Sequence, residues 1–208
     1  EDRDQGTSKY NELESLLIAK VLIDLEQACQ KQGYGLGGKP KKEVGVITFY
    51  NRQVHSIRDS MQALKKAQSI EFKAISVDIN TVDRYQGQER QIVIVSLVRN
   101  PESQYLSKRA NTARYERINV AFSRAQELLV ILGAMDIFNN YQVKLPFFNQ
   151  KGEREVPVYK QIISEIQLVG GVVHPRDVLS REMYGRFSKP RNGAKKNYNY
   201  KRNHSAWK

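Results

Sequence analysis

The chain has 208 residues, 40% of them hydrophobic, a length and apolar content that suit one domain with appendages around a sizeable core. Its 34 Lys and Arg against 22 Asp and Glu leave a net charge of +12, which points toward a polyanionic partner; the single cysteine, Cys29, excludes an internal disulfide, and His55, His174 and His204 are too scattered to form a metal site. No apolar stretch approaches the roughly 18 residues of a membrane span and no signal peptide is visible, so the expectation is a soluble, intracellular protein of nucleus or cytoplasm with no membrane partner.

The chain opens without Met on the polar run EDRDQGTS, and residues 1–8 read as a linker from something upstream. Over residues 10–31, Tyr10, Leu13, Leu17, Val21, Leu25 and Ala28 recur three and four apart, the spacing of an amphipathic helix of about six turns. Asn11 can cap that helix, with Glu14 three residues on to close a capping box. Next, GYGLGGK at 33–39 nearly spells a phosphate-binding P-loop. Pro40 stands where the Ser or Thr that ligates Mg²⁺ belongs, and the run lies between a helix and a strand, the reverse of the required order. It reads as a flexible loop. There is no other Walker A run, and no Asp-Glu pair follows an apolar strand, so the metal-binding half of an ATPase is missing from the sequence.

Residues 44–50, VGVITFY, read as a buried strand, with Asn51 capping a helix whose Val54, Ile57, Met61 and Leu64 face the core. Residues 74–79 form the next strand and lead into TVDRYQGQE at 81–89. A hydroxyl at Thr81 and N–H groups at a helix start suit a phosphate, and Gly87 lets the backbone come close to a ligand. Equally, Asp83 with Gln86 would make a capping box and Gly87 a helix end. Two unbroken apolar runs come next, 92–98 and 128–132, each with the length and β-branched content of a strand buried on both faces. Between them lie a polar, basic connector at 101–112 and a helix over 113–126. Beyond Gly133 the pattern weakens to one more helix, 156–169, on the sheet edge. Residues 181–208 hold nine Lys or Arg and one acidic residue, a net +8 of the total +12. Tyr184, Phe187, Tyr198, Tyr200 and Trp207 are interleaved there, so this end is either a solvated tail or a nucleic-acid contact.

Four predicted parallel strands alternating with helices give a three-layer α/β/α sandwich with a mostly parallel sheet; the resemblance described next implies that this is a RecA-like P-loop NTPase fold without Walker A. It occupies residues 9–170, between the linker and a basic, disordered tail at 171–208.

TVDRYQGQE before one apolar strand and RINVAFSRA before the next resemble motifs V and VI of superfamily 1 helicases. The likeness is to the 5′→3′ subgroup that includes the nonsense-mediated-decay helicase, senataxin and Aquarius, and it covers roughly residues 6–138, the second RecA-like domain of such motors. The resemblance implies an ATP-dependent RNA or DNA helicase in which ATP and Mg²⁺ lie between this domain and an upstream RecA-like domain that holds the metal. It implies Arg124 as the arginine finger and Glu89 as a carboxylate acting at the nucleotide, with Gln86, Gly87, Asn11 and Glu14 beside it. Ser8, Asn11 and Glu14 match the family's Ser-x-x-Asn-x-x-Glu element, with Glu12 where some relatives carry arginine. Tyr50, Asn51 and Gln53 match motif IV, with Phe49 in place of proline; together with Thr81 and Arg84 they would contact single-stranded RNA or DNA. Gln126 stands where relatives often have a base, and Arg117 could equally be a salt-bridge residue. The competing reading is a non-catalytic RecA-like module that binds nucleic acid or a protein partner.

Overall fold

The computed structural model describes residues 2–5, 8–35, 37–100, 110–169 and 171–187. An antiparallel pair, β1 (Asp2–Gln5) and β2 (Ser8–Asn11), leads into α1 (Glu12–Lys31). Then β3 (Lys42–Thr48), α2 (Asn51–Gln68), β4 (Ile75–Thr81), β5 (Arg90–Ser96), α3 (Tyr115–Phe122) and β6 (Ala125–Leu132) succeed one another. The four central strands are all parallel, in the order β4-β3-β5-β6.

Side chains of a strand alternate between faces, and β5 shows the result. Its Ile92 and Ile94 join Val44 and Val46 of β3 beneath Ile18 and Leu22 of α1 and Val54 and Ile57 of α2. Its Val93 and Val95 join Ile47 beneath Ile118 and Ala121 of α3. Helices therefore cover both faces, and the expected RecA-like α/β/α architecture is the one that forms.

Several expected details change. The stretch read as a linker pairs as β1 with the strand that brings Asn11 to the first turn of α1. The buried side of α1 runs through Ser15, Ile18, Leu22, Glu26 and Cys29, while Ala28 of the expected stripe is exposed. Two polar residues on the inner face hid it from an apolar count. The helix expected over 113–126 is only eight residues long, because residue 125 is already paired to Arg90 as the start of β6. β6 is an edge strand, not one buried on both faces; Leu128 is 44% exposed.

After α4 (Met135–Phe138), the weakly patterned stretch contains an antiparallel hairpin that periodicity did not reveal, β7 (Val143–Pro146) and β8 (Glu153–Val156). Then α5 (Val158–Leu168) inserts Tyr159 into the core beside Phe138. The segment expected to be a disordered tail includes α6 (Pro175–Val178) and α7 (Arg181–Gly185), with Leu179 buried between them. Tyr198, Tyr200 and Trp207 lie outside the described residues.

Candidate functional site

β4 and β5 are not neighbours, so the chain between them must cross β3, and it does so over residues 82–89. Val82–Tyr85 make one 3-10 turn over the sheet, with Tyr85 fully buried and its hydroxyl donating to the Asp78 carbonyl at 2.7 Å. The crossing needs Gly45 below it, since a Cβ there would lie 3.0 Å from the Tyr85 ring, its hydroxyl and Cγ of Arg90. Burial and the nearby Asp78 push the Tyr85 phenol far above its ordinary range, so it stays a neutral donor. The expected helix start is thus a single short turn. Thr81 makes no side-chain cap, and Asp83 pairs with Arg117 at 2.9 Å instead of forming a box with Gln86. Gly87 sits at φ +77°, a left-handed conformation that favours glycine, with open space where a Cβ would be.

The crossing carries the motif from one edge of the sheet to the other. At the amino ends of the strands, Glu89 meets the region after α3. The Arg90 N–H donates to the Arg124 carbonyl at 3.0 Å, and Gln126 Nε2 donates to Glu89 Oε2 at 3.3 Å. Arg124 lies between α3 and β6, not inside a helix. Its Nε and Nη2 donate to Ser123 Oγ at 3.2 and 2.7 Å, and it meets no carboxylate among the described residues. Gln86, Gly87 and Glu89 are exposed.

The opposite, carboxyl edge holds Thr81, the exposed Arg84, Tyr50 and Asn51. Asn51 is exposed and is the first helical residue of α2, whose N-cap position is Tyr50; no side chain caps the helix there. At the same carboxyl edge lies a buried polar cluster, since Ser96 ends β5 and Gln53 stands in the first turn of α2. Asn11 caps α1 by accepting from the Glu14 N–H at 3.2 Å, as the sequence suggested. The reciprocal arm differs: the Asn11 N–H donates to Gln53 Oε1 at 2.7 Å, while Glu14 Oε2 accepts from Ser96 Oγ at 2.6 Å and from the Val98 N–H at 2.9 Å. Gln53 Nε2 donates to Ser96 Oγ at 3.0 Å and to the Asn11 carbonyl at 3.3 Å. Gln53 is fully buried, so its amide holds the sheet and offers nothing to a nucleic-acid strand. Asn11 and Glu14 are likewise buried and engaged, which corrects the expectation that they line the nucleotide. Ser96 and Val98 were not singled out in the sequence. Ser96, the lone hydroxyl in the run 92–98, was the available signal; Val98 left none.

A cleft of about 500 Å³ opens between the 3-10 turn, α3 and the β7–β8 hairpin. Tyr115 lies in its wall, and two ion pairs flank it, Arg117–Asp83 and Lys144–Glu153 at 3.4 Å.

A parallel sheet covered on both faces, crossed by a short polar segment that ends beside an arginine with no acidic partner among the described residues, defines a RecA-like domain of the P-loop NTPase class. The model of a family described as an AAA domain matches residues 1–136, and the chain belongs to that family, within the superfamily 1 helicases. It is 34% identical over 124 residues to the DNA replication ATP-dependent helicase/nuclease DNA2 of Gallus gallus, covering 60% of this chain and 11% of that protein. It is 31% identical over 140 residues to the DNA polymerase alpha-associated DNA helicase A of Saccharomyces cerevisiae (66% and 18%). Against the helicase/nuclease JHS1 of Arabidopsis thaliana, identity is 27% over 154 residues (74% and 10%). The chain thus spans between 10% and 18% of the length of these relatives.

Proposed function

We propose that the chain is the second motor domain of an ATP-dependent superfamily 1 RNA or DNA helicase, working with a RecA-like domain upstream in the same protein. The observation that carries this reading is the state of three arginines. Arg117 is held by Asp83 and Asn111, and Arg90 by Asp78 and Gln88. Among the described residues, Arg124 has only the hydroxyl of its own neighbour. A guanidinium is always charged and can fork onto two phosphate oxygens, so one kept out of ion pairs is available to an anion.

In this reading ATP, bound between the two domains, supplies the phosphoryl group that is transferred to water. Arg124 neutralises charge that builds on the γ-phosphate oxygens, and Glu89 with Gln126 frames the same edge. Gly87 and Gln86 bring backbone and amide to it, while Thr81, Arg84 and Asn51 at the other edge meet single-stranded RNA or DNA; Tyr50, expected among these contacts, is 7% exposed and packed into the core instead. The 82–89 crossing joins the two edges through one rigid turn. This reading assigns the Mg²⁺ ligands to the upstream domain; among the described residues no three His, Cys, Asp or Glu stand together. The replication and polymerase-associated relatives support an intracellular role.

The test is Arg124→Ala in the intact protein. A finger acts where charge develops in the transition state, so turnover should fall by about 10³ or more while most ATP affinity is retained. Arg124→Lys should restore little, since an ammonium cannot fork. Turnover equal to wild type would remove the motif VI assignment and leave the alternative, a non-catalytic RecA-like binding module.

A further inference from the structure

The fold fixes the backbone on both sides of the step from α3 to Arg124. The Ser123 N–H donates to the Asn119 carbonyl at 3.1 Å and closes the helix, while the Arg124 carbonyl accepts from the Arg90 N–H at 3.0 Å where the ladder between β5 and β6 begins. The root of the arginine side chain is therefore held. What is left open is the set of side-chain torsions that aim the guanidinium.

Ser123 settles that aim. A planar guanidinium has two edges that can each fork onto an anion, one between Nε and Nη2 and one between Nη1 and Nη2. Ser123 Oγ accepts from Nε at 3.2 Å and from Nη2 at 2.7 Å, so a single hydroxyl fills the first edge. The end edge, Nη1 with the remaining Nη2 proton, is turned away from the hydroxyl and keeps its donors. A carboxylate could grip the first edge as well, but it would cancel the charge; a hydroxyl is a neutral acceptor and leaves the charge in full. Arg90 and Arg117, each paired with an aspartate, show that alternative within this same fold. Ser123 is itself exposed, so its removal opens no cavity in the core.

We propose that Ser123 is a positioning residue for Arg124: its hydroxyl occupies the Nε–Nη2 edge of the guanidinium and thereby presents the Nη1–Nη2 edge, fully charged, to the phosphate oxygens. Its effect on turnover rests on the motor reading above; its grip on the guanidinium does not. A finger aimed before the nucleotide arrives loses less side-chain freedom when charge develops on the phosphate.

The experiment uses Ser123→Ala and Ser123→Thr, each also combined with Arg124→Lys. ATP turnover and nucleotide affinity are measured in the intact protein. The orientation is read separately in the 208-residue chain, from exchange of the Arg124 Nε proton with water by NMR, the signal being assigned by its loss in Arg124→Lys. In Ser123→Ala that proton should exchange faster, and turnover should fall about 10-fold, short of the 10²-fold that a small misplacement can cost, at unchanged nucleotide affinity. Ser123→Thr keeps a hydroxyl on the same carbon and should restore both readouts. In the Arg124→Lys background Ser123→Ala should change turnover no further, because an ammonium has no edge for the hydroxyl to fill; a purely structural role would give the same loss in both backgrounds. Three results overturn the proposal: Nε proton exchange unchanged in Ser123→Ala, turnover equal to or above wild type, which would make the hydroxyl a bystander or a parking place for the finger, or an equal loss in the Arg124→Lys background. If the wild-type protein shows no ATP turnover at all, the motor reading fails, while proton exchange and its recovery in Ser123→Thr still decide the grip.

Discussion

Gly45 and Tyr85 are forty residues apart in sequence and in contact in the fold, and together they let the chain cross β3 in a single turn. Adding one methyl at Gly45 places it 3.0 Å from a ring that is fully buried and hydrogen-bonded, which cannot give way cheaply. Gly45→Ala should therefore cost about 1–3 kcal/mol, the range for overpacked cores, read as a lower urea midpoint at unchanged slope. A midpoint equal to wild type would mean the crossing is looser than its geometry indicates. The sequence made Gly87 conspicuous within its motif and gave no hint of Gly45, because the need for glycine there comes from a side chain on another segment. Arg124 and Arg117 show the same division. Both were legible as arginines of one motif, but only the fold shows that Asp83 occupies Arg117 and that no carboxylate among the described residues occupies Arg124.

Among the elements, α1 was legible as a helix and misread as a surface. Glu26 lies on its inner face at 1% exposure and accepts from the backbone N–H groups of Lys73, Ala74 and Ile75, capping the entry to β4. Burial alone would raise its pKa, yet the bonds from Ala74, Lys73, Gln30 and Ile75 hold the carboxyl below its ordinary range. A carboxyl depressed on folding contributes stability that is complete above its unfolded value near 4.5 and is lost as pH falls through the lower folded value. Glu26→Ala should cost about 3 kcal/mol or more at neutral pH, since it orphans several buried donors, and the deficit against wild type should shrink on acidification below pH 4.5. Denaturant titrations of both proteins across the acid range check this; a deficit independent of pH would assign the loss to packing alone. The eight residues of α3 belong to the same scale. Helical spacing continued past Phe122, but the parallel ladder to β5 claimed Ala125.

For the whole molecule, the proposed motor reading predicts a division of labour. The 208-residue chain by itself should release phosphate from ATP no faster than buffer, with or without single-stranded nucleic acid, because Arg124 alone cannot position an attacking water. Robust turnover by the chain alone would overturn that reading. The near P-loop at 33–39 does not rescue it, since Lys39 there lies over the Tyr34 ring at 4.9 Å in a loop that joins a helix to a strand. By itself the sequence determined the alternation of strands and helices, the parallel sheet, the family, and the two polar motifs that frame β5 and β6, because hydrophobic periodicity and short motifs are local properties. Tertiary structure alone decided which edge each polar group reaches, that Gln53, Asn11 and Glu14 turn inward, that β6 is an edge, and that Val98 is strained at φ +66°. Each of those depends on a partner tens of residues away, and burial or strain exists only once that partner has arrived.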